Sequence, residues 1–136
     1  SELFKFTDAY SFYVTERDNE HKGIFDYINK IHAAIKARKS AKVISKLFKQ
    51  LGDYTAHHFS VEEDMMREKQ FPELDQQLVS HKKLLDRVAD VTARLERGEE
   101  VNMIEAMIFL KDWLQNHILK MDKKYGVFFK EKGYVK

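Results

Sequence analysis

Residues 41–66, AKVISKLFKQLGDYTAHHFSVEEDMM, carry Ile44, Leu47, Leu51, Tyr54, His58, Val61 and Met65 in one register of alternating three- and four-residue steps. That spacing predicts an amphipathic helix with a mean period of about 3.5 residues, the period of a bundle core. Gly52 interrupts it at a cost of about 1 kcal/mol relative to alanine and allows close backbone packing. The same period recurs on either side. Upstream, Thr15 with Asp18 three residues later resembles a capping box, and His21, Ile24, Ile28, Ile31 and Ile35 predict a helix over about 18–38, before a break at Lys39–Ser40. Downstream, Pro72 is tolerated in a first turn and opens a helix over about 72–97. Its seam is Leu74, Gln77, His81, Leu84, Val88, Val91 and Leu95, and Gly98 stops it. A fourth helix over about 102–126 is capped by Asn102 with Glu105 and carries Met103, Met107, Leu110, Leu114, His117 and Met121 as far as Gly126. Short connections favour antiparallel neighbours, so the expected fold class is all-α, an up-down-up-down four-helix bundle. Residues 1–14, with Phe4, Phe6, Tyr10, Phe12 and Tyr13, read as an N-terminal aromatic arm packed across it.

Composition agrees with that outline and excludes several classes of function. A chain of 136 residues is one domain, residues 1–136, long enough to bury about two-thirds of its unfolded surface. One proline and five glycines argue against a sheet protein full of tight turns. The absence of cysteine rules out disulfides, thiolate zinc sites, cysteine nucleophiles and cysteine-ligated clusters, which leaves nitrogen and oxygen as metal donors. A net charge of +2, with lysines interleaved among acids, points to neither nucleic acid nor an anionic membrane. No apolar run approaches the roughly 18–20 residues that span a bilayer, and the first residues are not a signal peptide; a cytoplasmic protein is expected.

The polar residues on the seams carry the chemistry. Each helix contributes: His21, then His58, then Gln77 and His81, then His117. A lone histidine on an apolar stripe is ordinarily a hydrogen-bonded core residue. Several together need a common partner to offset the desolvation of each ring, and neutral imidazole is the commonest transition-metal ligand. The antiparallel order of the helices sets all of them at one end of the bundle. Glu62 is one turn beyond His58 and shares its face, although Glu63 and Asp64 beside it are natural surface charges. Asp122 follows His117 by five residues, about 140° round a regular helix, and its neighbours Lys120, Lys123 and Lys124 suit a surface position. A nitrogen-rich set with carboxylates suits iron or manganese better than a closed zinc site. The Glu-x-x-His pairs of carboxylate diiron bundles, the His-Glu-x-x-His protease motif, phosphate-binding glycine loops and EF-hand loops do not occur.

From about residue 18 to 125 the chain resembles the hemerythrins and bacterial hemerythrin-like proteins. The matching pieces are Asp18-Asn19-Glu20-His21-Lys22, His58-Phe59-Ser60-Val61-Glu62-Glu63-Asp64-Met65-Met66, Phe71-Pro72 leading to His81-Lys82-Lys83, and Trp113-Leu114-Gln115-Asn116-His117-Ile118 with Asp122 and Tyr125. The resemblance implies two non-haem iron ions, oxo- or hydroxo-bridged, that bind O2 reversibly for storage, delivery or sensing. It implies one iron held by His21 and His58, the other by positions 77, 81 and 117, with Glu62 and Asp122 as carboxylate bridges. O2 would bind at the two-histidine iron, with Ile24, Trp113 and Leu114 as candidates for an apolar lining. His32 and His57 lie one step off their seams and are expected at the surface or its boundary.

Gln77 departs from this pattern, because the family has histidine there. A glutamine carbonyl is a weaker and harder ligand than imidazole, and the alternative is a coordination position left to water. Either loosens one iron. Beside O2 binding, two further readings therefore stand: a peroxide- or NO-reactive protein that uses the altered coordination, or a metal-deficient bundle serving as an interaction module. With no output domain recognisable, sensing would need a separate protein partner.

Overall fold

A computed structural model describes residues 15–133, with side chains from Glu20 onward; the expected aromatic arm and the capping side chains of Thr15 and Asp18 lie outside the described residues. Within that range the chain forms α1 (Thr15–Lys36), α2 (Ala41–Glu68), α3 (Leu74–Glu96), α4 (Met103–Asn116), a π-helical segment (His117–Asp122) and α5 (Lys123–Glu131). Helices α1 and α3 each contact both α2 and α4, which closes the four into a bundle.

The helix ends follow local chemistry. Ser40 Oγ accepts from the Val43 amide at the start of α2, and Asn102 Oδ1 accepts from the Glu105 amide at the start of α4, so one of the orphan donors of each first turn is spoken for. Gly98 ends α3 with φ +76°, a conformation that favours glycine. Three boundaries differ from expectation. Helix α1 stops at Lys36 rather than near residue 38, where Arg38 turns the chain at φ 54°. Pro72 lies in the turn before α3, which begins at Leu74. The last helix does not stop at Gly126: that glycine is buried inside α5, and the chain continues helical to Glu131.

Two apolar clusters sandwich a polar layer. The larger contains Ile24, Ile28 and Ile31 of α1, Phe48 and Leu51 of α2, Leu84 and Val88 of α3, and Leu110 and Leu114 of α4. Each such side chain contributes about 1.5–3 kcal/mol when removed from water. The smaller comprises Met66, Phe71, Tyr125 and Phe129. Along α2, His58 and Glu62 fall between Leu51 and Met66; after α4, His117 and Asp122 fall between Leu114 and Tyr125. The buried stripe of α2 is also wider than the seam read from its spacing. Phe48, Phe59 and Met66 are buried while Val61 and Met65 are half-exposed, because α2 packs against α1 and α3 at once.

Helix α1 comes close to α2 at Gly23. A Cβ there would collide with the phenol of Tyr54, whose hydroxyl donates to the Glu20 carbonyl at 3.1 Å. This contact fixes the height of Glu20 and His21 against α2.

Candidate metal centre

His21, His58, His81 and His117 are all buried, and their Nε2 atoms face one another across the polar layer. His81 Nε2 and His117 Nε2 are 3.2 Å apart. The His21 and His58 rings meet edge to face with centroids 4.9 Å apart. Between the two pairs stand Glu62 and Asp122, both fully buried. Glu62 Oε1 is 3.0 Å from His58 Nε2 and 3.8 Å from His81 Nε2, and its Oε2 is 3.7 Å from His21 Nε2. Asp122 Oδ2 is 3.2 Å from His21 Nε2, and Oδ1 is 3.1 Å from His117 Nε2. Each carboxylate thus addresses both histidine pairs.

Asp122 reaches this position through the π-helical turn. On a regular helix it would point about 140° away from His117. The segment His117–Asp122 is instead wound with the wider i→i+5 turn, which brings residues five apart round to nearly one side. The surface position suggested by its lysine neighbours does not hold: Asp122 is 0% exposed.

The outward nitrogens are held by a second set of side chains. His58 Nδ1 donates to Glu20 Oε1 at 3.1 Å, and His81 Nδ1 donates to Glu63 Oε2 at 2.7 Å. A carboxylate only accepts, so Nδ1 of each ring is the donor here and Nε2 is the nitrogen left to face a metal. Ser80 Oγ lies 2.8 Å from Nδ1 of His117, and the Ser80 carbonyl accepts from Trp113 Nε1 at 2.9 Å. Two rings brace the same side: Phe59 stacks on His81 at 3.8 Å, and Trp113 stacks on His117 at 4.4 Å.

The Gln77 side chain is buried with the histidines. Its Nε2 donates to Asp122 Oδ1 at 3.1 Å, while its Oε1 makes no hydrogen bond. Nor do His58 Nε2, both Glu62 oxygens or Asp122 Oδ2, although N···O separations here fall to 3.0 Å. Donor atoms so close yet so poorly aligned with each other point at shared space. Leaving buried polar atoms unsatisfied costs about 1–3 kcal/mol each, and a cation between them removes that cost.

Electrostatics lead the same way. Burial pushes the His21 imidazole down, but Asp122 and Glu62 outweigh it and lift its pKa to about 9. Burial and the charge of Asp122 push Glu62 up; His58 and His21 more than offset both and hold it at about 2. Burial raises Asp122 too, and the opposing pull of His117 and His21 leaves its carboxyl well below the usual range. Burial and neighbouring His117 lower His81. A site that keeps two buried carboxylates ionised and draws positive charge toward them is suited to a cation.

Among the described residues, two overlapping groups have the geometry to hold a metal ion: His21, His58 and Glu62, and Glu62, His81 and His117. Six of the seven metal-ligand candidates from the sequence thus bring nitrogen or carboxylate oxygen into one layer, and the seventh, Gln77, joins it through Asp122. Of the three apolar candidates, Ile24 and Leu114 are buried in the larger core cluster. Trp113 has His117 as its stacking partner, so its contact is with the side of the site the resemblance leaves without exogenous ligand. His57 is exposed and His32 half-buried, and neither belongs to either group. Sequence reasoning missed Glu20, Glu63, Ser80 and the stacking role of Phe59. Glu20, Phe59 and Ser80 share one signal, since each is next in the chain to a seam histidine, whereas Glu63 follows Glu62 and has no such mark.

Comparison with known proteins follows the same lines. Residues 14–128 match the family model of the hemerythrin HHE cation binding domain. The bacteriohemerythrin of Methylococcus capsulatus is 39% identical over 110 residues, spanning 80% of this chain and 82% of the relative. The myohemerythrin of Theromyzon tessulatum is 28% identical over 124 residues, spanning 91% and 92% of the two chains. A crystal structure of wild-type hemerythrin superposes with a TM-score of 0.82 at 37% identity, covering 91% of this chain and 95% of that one.

Proposed function

This chain belongs to the hemerythrin family, and from that premise we propose that it is a non-haem diiron protein that binds O2 reversibly, a binding protein and not an enzyme. The observation that carries the reading is the pairing of imidazoles on either side of two carboxylates. His21 and His58 would hold one iron, His81 and His117 the other, with Glu62 and Asp122 bridging, since each carboxylate faces both pairs. Held by these residues, the two irons would supply the electrons that make O2 a reversible ligand.

The protein's part is to orient and to exclude water. Glu20 and Glu63 hold the protons of His58 and His81 on Nδ1, so both rings present a lone pair inward. Ile24 and Leu114, 1% and 0% exposed, keep the core next to His21 and His117 dry, which favours reversible binding over loss of charge to solvent. No helix among the described residues is long and apolar enough to cross a membrane. We place the protein in the cytoplasm as an O2 store, carrier or sensor.

The test is optical. Iron-loaded, reduced protein exposed to O2 should develop visible charge-transfer bands that disappear on deoxygenation and return on re-exposure. Two irons per chain with no reversible band would sink the O2 reading while leaving the metal site intact.

A further inference from the structure

Gln77 occupies α3 one turn before His81, and its amide nitrogen is committed to Asp122 Oδ1 at 3.1 Å. Turning the amide over would set Oε1 against an ionised carboxylate, so charge fixes which end faces Asp122. The imidazoles left are matched, His21 and His58 on one side and His81 and His117 on the other, around shared Glu62 and Asp122. The side that carries Gln77 is thus no richer in protein ligands than its partner.

That side also has its own approach from the surface. A cavity of about 240 Å³ is lined by Phe71, Glu73, Gln76, Gln77, Met121 and Lys124. It is below the size of an ordinary drug-like pocket and suits ligands of a few atoms. Lys124, largely exposed and 3.4 Å from Glu73, sets an ammonium at its rim. Gln77 itself is 1% exposed, so it separates the cavity from the buried histidines. Its Oε1 makes no hydrogen bond, so no described side chain ties down that end of the amide.

We infer that the metal position between His81 and His117 accepts a second exogenous ligand on its Gln77 side, a small anion or diatomic molecule entering through the Phe71–Lys124 cavity. This rests on the diiron reading and extends it: the protein has two ligand-accepting metal positions where a histidine at 77 would leave one.

Azide is the probe. The oxidised, iron-loaded protein is titrated with sodium azide, followed by its visible charge-transfer band and by calorimetry, with iron per chain measured on the same sample. Two azides per chain in the wild type and one in Gln77→His are expected. One azide per chain with two irons bound overturns the inference, since Gln77 Oε1 then closes the position, and leaves the diiron reading standing. Two azides in both proteins also overturn it, because the second ligand then binds elsewhere. Fewer than two irons per chain overturns both readings. Where Gln77→His does not fold, a crystal structure of the wild-type azide complex decides. Azide beside Gln77 is expected, and Gln77 Oε1 within bonding distance of iron contradicts it.

Discussion

Glu20 Oε1, carried on α1 immediately before His21, lies 3.1 Å from Nδ1 of His58 on α2. One helix therefore supplies an imidazole to the metal layer and, from the residue before it, the carboxylate that orients the imidazole of its neighbour. Outer partners of this kind commonly set metal affinity by 10–100-fold. Glu20→Ala is expected to weaken iron binding by about that factor. Because the Glu20 side chain is 22% exposed, water can replace it at Nδ1, and thermal unfolding of the metal-free variant should be nearly unchanged. Competition against a chelator of known affinity reads the first effect and circular dichroism the second.

Gly23 gives a separate test of how α1 is seated. A Cβ there meets the Tyr54 phenol, so Gly23→Ala must displace the ring or the helix. Overpacking of this kind costs about 1–3 kcal/mol. Much of that loss should vanish in a Tyr54→Ala background, giving a coupling in a double-mutant cycle of about 0.5–3 kcal/mol. Additive effects of the two substitutions in urea denaturation would show that the contact does not set the α1–α2 spacing.

The metal-free protein should have a stability maximum near pH 6.5. The pKa of His21 is raised from 6.5 to about 9 by Asp122 and Glu62 against the effect of burial, so its contribution is full below 6.5 and fades as pH rises to 9. His81 is lowered by burial and by His117, so its contribution has the opposite sign and is lost as pH falls below 6.5. Glu62, held at about 2, and Asp122, well below its ordinary value, add stability that is present above their unfolded pKa values and is lost as pH falls through their folded ones. Iron replaces the proton on His21 and should flatten the alkaline limb. Urea midpoints across this range, with and without iron, check both limbs. A metal-free midpoint that rises between pH 6.5 and 9 would contradict the electrostatic arrangement.

The helices and the histidine layer were legible in the sequence because three- and four-residue steps survive in single segments and the up-down order of the chain sets heights. His21, His58, His81 and His117 needed nothing more. Asp122 was not legible from spacing, since the wide turn at His117–Asp122 has no glycine or proline to mark it and reads as ordinary helix. Gly126 misled for a related reason: a glycine ends a helix only where the backbone turns left-handed, as at Gly98 and Gly133, and Gly126 does not. Glu63 read as a surface charge because spacing reports which side of a helix a residue occupies and not what the neighbouring helix presents to it. Its partner, Nδ1 of His81, comes from α3.

Anomalous diffraction at the iron edge from crystals of the iron-loaded protein tests the central claim most directly. The expected result is two iron peaks in the polar layer, one bound by Nε2 of His21 and His58 and the other by Nε2 of His81 and His117, with Glu62 and Asp122 between them. A single peak, or iron outside this layer, would contradict it.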